Sequence, residues 1–178
     1  MNTIKGKSAE RYLNLLDMQS EFQKLFDYKE PNDRAIVIVG GAFLDTLLEN
    51  ILLEFFPEDE KEVESLLGPS GNLGTYGSRI KILFCLGFLE KVISSDLKLI
   101  GKIRNKFAHD ISISFETTQI ESWVRALKWH KIYFMNNESP EGATLRDIFQ
   151  VEVNTLISHL NGVIGMARNE RRTIKNNF

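Results

Sequence analysis

The chain has 178 residues, 43% hydrophobic and 26% charged, with 22 lysines and arginines against 24 acidic residues and a net charge of −2. That is globular composition, long enough to bury a real core as one helical domain over residues 1–178, with 1–7 and 170–178 as flexible ends. It lacks the overall positive charge that draws a protein to nucleic acid. The single cysteine, Cys85, rules out an internal disulfide framework, suits a reducing compartment and reads as a packed core residue. Residues 1–7 lack the apolar run of a signal peptide, and the longest apolar stretch, Ala35 to Leu44, is short for a membrane span. The expectation is a cytoplasmic protein with no membrane segment.

In order, the chain reads as helix after helix. Ser8 is placed to cap a first helix running to about Tyr28, with Leu15, Phe22, Leu25 and Phe26 inward. Pro31-Asn32-Asp33 separates it from a second helix that continues to Phe56 and is apolar nearly all round, the expected centre of a bundle. Gly40 and Gly41 inside it each cost roughly 1 kcal/mol and point to close approach by a neighbour. On the same helix Asp45 and Glu49 lie four apart, on one face. The acidic segment Glu54 to Glu64 suggests a short exposed helix after Pro57.

The loop from Gly68 to Gly77 contains four glycines and a proline. It lacks the Lys-Ser/Thr of a P-loop and fits no dinucleotide fingerprint, so it reads as a long shaped turn rather than a phosphate cradle. Ser78 then caps a helix through Leu89, with Ile80, Leu83, Phe84 and Gly87 inward. Ser94 or Ser95 caps the next. Glu116 to Met135 reads as one helix with an apolar stripe of Ile120, Trp123, Val124, Leu127 and Phe134. Trp129, Ile132 and Tyr133 lie off that stripe, on a second face suited to another element or the second copy of a homodimer. After the breaker Pro140, a last helix runs from Ala143 to about Asn169, with His130 and His159 as edge-of-core histidines. Arg168, Arg171, Arg172 and Lys175 then form a basic tail, a candidate for direct DNA contact.

One stretch carries residue types chosen for more than packing, Leu97 to Asp110. Leu97, Ile100, Ile103, Phe107 and Ala108 fill one apolar arc, while Lys98, Lys102 and Lys106 stack on the opposite, solvated side. Arg104 projects from the middle of the apolar arc, where an unpaired guanidinium would cost several kcal/mol. Asp45 and Glu49 are its expected counter-charges in a buried polar cluster that fixes helix register. The chemical alternative uses Arg104, Asn105 and His109 for metal-independent cleavage of a phosphodiester, with His109 moving protons and Arg104 stabilising the charged phosphorane. Five residues at 100° each put Arg104 and His109 about 140° apart, so convergence requires an unwound helix end or two copies meeting in a dimer. Three dispersed histidines and one cysteine match no metal-site spacing, and no motif asks for a cofactor.

Two resemblances rest on these residues. Arg104-Asn105-Lys106-Phe107-Ala108-His109 resembles the R-x4-6-H signature of HEPN domains, which include dimeric, metal-independent ribonucleases. A larger resemblance, to the mannitol-operon repressor (MltR-like) family, runs from Asp33-Arg34-Ala35 through Asp45 and Glu49. It continues along the Leu67-Gly68-Pro69-Ser70-Gly71 to Gly77 loop and the Lys81 to Gly87 segment to Ile103–Asp110, covering roughly Asp33 to Trp129. This implies an all-α fold and a role in transcriptional regulation of sugar-alcohol uptake. No helix-turn-helix stands out and the basic residues do not gather on a groove-facing helix. A regulator of this kind is expected to act through a protein partner, another transcription factor, rather than by reading bases.

Overall fold

The computed structural model describes residues 2–27, 32–58, 60–133, 135 and 142–175; the expectations that fall on Tyr28, Pro31, Phe134 and Pro140 lie outside them. It is an all-α bundle, with eight helices among the described residues. They are α1 (Asn2–Leu25), α2 (Asp33–Phe55), α3 (Glu60–Leu67), α4 (Tyr76–Cys85), α5 (Lys91–His109), α6 (Thr118–Arg125), α7 (Trp129–Tyr133) and α8 (Leu145–Asn169). Helix α2 is the axis. It packs along α8 and also touches α5, α4 and α1. Among the described residues it alone is long and apolar enough to cross a membrane, but here the same apolarity fills a core. Ile36, Val37, Leu44, Leu47, Leu48, Ile51 and Leu52 are wholly buried, each stabilising the fold by about 1.5–3 kcal/mol.

Local chemistry sets the element ends. Asn32 caps α2, its side chain accepting from the Ala35 amide at 3.2 Å. Thr75, not Ser78, caps α4, with Ser78 returning the bond in a capping box; Thr144 and Asp147 do the same for α8. Helix α4 ends at Cys85, ahead of Gly87 at φ +82°, which leaves Phe84 and Cys85 exposed rather than inward. Leu25 is exposed too.

The single helix expected over 116–135 is two. Asp96, buried on α5, accepts the amides of Lys128 (2.9 Å) and Trp129 (2.7 Å) and so caps α7 from a neighbouring helix. The three residues before α7 can therefore leave the helical path and turn Leu127 into the core. Ser94 and Asp96 lie inside α5, which starts earlier, at Lys91.

Ser8 does not cap the first helix. Helix α1 begins at Asn2, so Ser8 lies within it. At the other end Glu54, on α2 and only 1% exposed, gathers the basic residues. Its carboxylate accepts from Arg168 (3.0 Å) and Arg171 (2.7 Å) and lies 3.7 Å from Arg11. Arg171 also pairs with Glu58 and donates to the Glu54 carbonyl. The Arg172 amide donates to the Phe55 carbonyl at 2.8 Å, and its guanidinium lies 5.0 Å from the Phe55 ring centre. The tail is held against α2 through Arg172.

Candidate functional site

The residues singled out from sequence lie where α2, α4 and α5 meet. Helix α5 buries Leu97, Ile100, Ile103 and Phe107, and Phe107 continues through Phe115 to Phe149 with ring centres 5.3 and 5.6 Å apart. That anchoring fixes how the rest of α5 faces its neighbours. At the other end of the contact, Arg34 on α2 donates to the carbonyls of Asp110 (2.8 Å) and Ile111 (3.1 Å), holding the end of α5 against the start of α2.

Arg104 does not meet Asp45 and Glu49. Its aliphatic stem lies across Gly41, where a Cβ would sit 2.6 Å from the Arg104 Cδ. Its guanidinium lies 5.1 Å from the Tyr76 ring centre, and Nη2 donates to the Asn105 Oδ1 at 3.3 Å. Tyr76 is fixed beneath it: the hydroxyl donates to the Leu97 carbonyl at 3.1 Å and the ring lies against Gly101, leaving 2.9 Å for a Cβ. Burial pushes the Tyr76 hydroxyl well above the usual phenol range, against the opposing pull of Arg104. Stacking over an aromatic face, with the stem packed on glycine, is how Arg104 leaves the apolar arc without a carboxylate.

The carboxylates belong to Arg79. Its Nη1 donates to Asp45 at 2.7 Å and its Nη2 lies 3.2 Å from Glu49, while Nε and Nη2 also donate to the carbonyls of Leu73 and Leu67, both at 3.1 Å. One buried guanidinium thus ties the glycine loop to α2. The polar cluster expected around Arg104 exists one helix away because α4, entering straight after the loop, brings Arg79 to Asp45 first. Within the loop, the amides of Gly71, Leu73 and Gly74 donate to the carbonyls of Gly68, Leu66 and Gly71. A Cβ at Gly71 would lie 2.3 Å from the Ser65 and Leu66 carbonyl oxygens at the end of α3, and one at Gly74 2.1 Å from the Gly68 carbonyl oxygen. The glycines shape a turn, and their amides point inward rather than at a phosphate.

His109 sits apart from Arg104. It is exposed at the end of α5 and lines an open groove of about 730 Å³ with Lys102, Asn105, Lys106, Ile111 and Trp123. Asn105 touches both surroundings, bonding Arg104 and lining the groove, but Arg104 itself lies over Tyr76. Within one copy the three residues of the R-x4-H motif do not converge on a common cleft, and α5 stays helical through His109 rather than unwinding at Ala108.

A second cluster escaped the sequence reading. His130, Glu152 and Asp96 are all buried, from α7, α8 and α5. Glu152 Oε2 accepts the His130 amide at 2.9 Å and lies 2.6 Å from its Nδ1. Burial, reinforced by the Glu152 charge, pushes the Asp96 carboxyl up to about 7, although the two amides it caps pull the other way. His159 lies half-buried beside Trp129, ring centres 4.8 Å apart, and burial lowers its pKa. Periodicity marked these histidines as edge residues; it carried no signal for Asp96, whose role depends on the break between α6 and α7, 32 residues later.

Against known proteins, the family model described as the mannitol repressor, MtlR, matches residues 28–165. No curated protein matches the chain. Among solved structures, a chain of the X-ray structure of the MtlR–HPr complex from Escherichia coli superposes with a TM-score of 0.57 at 19% identity, over 85% of this chain and 98% of that one. The match spans α2 to most of α8 and so contains the glycine loop, the Arg79 staple and the whole of α5. On that evidence the chain belongs to the mannitol repressor family.

Proposed function

We propose that the protein is a regulator of a mannitol-type sugar-alcohol uptake operon that works by contact with a protein partner, and that HPr is the partner. The observation that carries this reading is membership of the mannitol repressor family, together with a fold shared with a chain solved in complex with HPr. HPr takes the place of the transcription factor expected from sequence. The reading keeps the protein in the cytoplasm and makes it a regulator rather than an enzyme. Two features of the site support it. Arg104 is engaged on Tyr76 and Asn105 instead of facing His109 across a cleft. Arg168 and Arg171 are occupied by Glu54 and Glu58, which leaves the basic tail poorly disposed to follow a phosphate backbone.

The test is co-elution of the purified chain with HPr by size exclusion, run beside a mobility-shift titration on duplex DNA from a mannitol operon control region. A complex with HPr, and no DNA retardation by the protein alone at physiological salt, is the expected result. Retardation of that duplex without a partner would overturn it. So would metal-independent RNA cleavage that disappears in His109→Ala.

A further inference from the structure

We infer that the solvent face of α5 is a docking surface for an acidic, amphipathic segment of a partner protein; this rests on the reading of the molecule as a regulator that works through protein contact. Taking Lys91 as the origin and 100° per residue, Lys98, Lys102, Asn105, Lys106 and His109 all fall within about 60° of one line, over about 27 Å of helix. Lys91, Lys98, Lys102 and His109 are exposed and Lys106 is 40% exposed. The one acidic residue of α5, Asp96, is buried and turned to α7. The face therefore carries only cationic and neutral groups on a chain whose net charge is −2.

Helix stability does not account for the stripe. Cations favour a helix C-terminus, which covers Lys106 and His109, but Lys91 occupies the first turn, where the helix dipole opposes it. Nor is this an ordinary solvated face, which mixes signs as α1 does with Glu10, Asp17 and Glu21 beside Lys24.

The C-terminal part of the stripe opens on the groove that Trp123 and Ile111 line. Trp123 is half-buried with the Lys102 ammonium 6.0 Å from its ring centre, and Ile111 is 93% exposed. The groove's own acid, Asp110, is taken up locally by Ser112 and by Lys106 at 3.4 Å. A row of ammonium groups beside an apolar shelf complements carboxylates one helical turn apart flanking apolar side chains. Nucleic acid fits less well: a phosphate backbone has no use for the exposed isoleucine, and the two nearby arginines are occupied, Arg104 on Tyr76 and Arg125 on Glu121.

The probe is a fluorescein-labelled helical peptide with glutamates one turn apart and leucines between them, titrated onto the full chain by anisotropy. Its lysine-for-glutamate counterpart and a single-stranded DNA of equal charge serve as comparisons. Two folded variants complete the set, a triple Lys91→Glu/Lys98→Glu/Lys102→Glu and the apolar change Ile111→Ser, with folding checked by circular dichroism. Saturable binding of the acidic peptide, weakened about tenfold or more by the triple change and several-fold by Ile111→Ser, is the expected result. Absence of binding, equal binding by the variants, or tighter binding of the DNA overturns the inference. HPr binding by the wild type, measured on the same preparations, reads the proposed function separately, so the two can fail independently.

Discussion

Arg79 satisfies two carboxylates and two loop carbonyls at once while almost wholly buried, and no other described guanidinium carries that many partners between separate elements of the site. Truncating it leaves Asp45 and Glu49 side by side and the carbonyls of Leu67 and Leu73 unpaired. Arg79→Ala is therefore expected to cost about 2–4 kcal/mol in urea denaturation. Arg104→Ala removes a stacking contact and one exposed hydrogen bond and is expected to cost roughly 1 kcal/mol. The reverse ranking would restore Arg104 as the centre of the cluster. Gly41→Ala tests the same packing from the other side: its Cβ would collide with the Arg104 stem, so stability falls by roughly 1–3 kcal/mol even though alanine is the better helix former.

Asp96 gives the residue scale its pH dependence. Its carboxyl titrates near 7 in the folded chain, raised by burial and by Glu152, against an ordinary value of 3.8. The folded state thus holds a proton the unfolded state has lost, and the stability this provides is present below about pH 4 and declines as pH rises through about 7. Asn at this position keeps an oxygen for the amides of Lys128 and Trp129 but does not ionise. Melting temperatures at pH 5 and pH 8 should differ less in Asp96→Asn than in wild type; an unchanged difference would remove Asp96 as the titrating group.

At the scale of elements, α7 and the tail show why part of the site was legible in sequence and part was not. Hydrophobic period placed α2, α5 and α8, and glycine content the turn, because those signals are local, although the cap expected at Ser94 or Ser95 lies inside α5. The break between α6 and α7 depends on a carboxylate contributed by α5, and the docking of the tail depends on Glu54, which sits in a segment that reads as exposed and acidic. Likewise the pairing of α2's two acids was visible as a demand, but which arginine answers it is decided by how α4 crosses α2. Glu54→Gln should weaken the hold on Arg168 and Arg171 without unfolding the bundle, and limited trypsin digestion should then cleave at 171–172 faster than in wild type. Equal rates would mean that the backbone bond from Arg172 to Phe55 holds the tail by itself.

The whole molecule joins a bundle built on one apolar helix, an arginine staple that shapes a loop, and a basic helix face left open to solvent. Under the proposed function these features present a surface to a partner, and HPr is the one to test because a chain of the same fold was solved in complex with it. The most direct measurement is a calorimetric titration of the full chain with HPr from the same organism. A saturable complex of fixed stoichiometry that survives Arg104→Ala is the expected result. Absence of any complex with folded protein, or RNA cleavage in chelator that Arg104→Ala and His109→Ala both abolish, would contradict it.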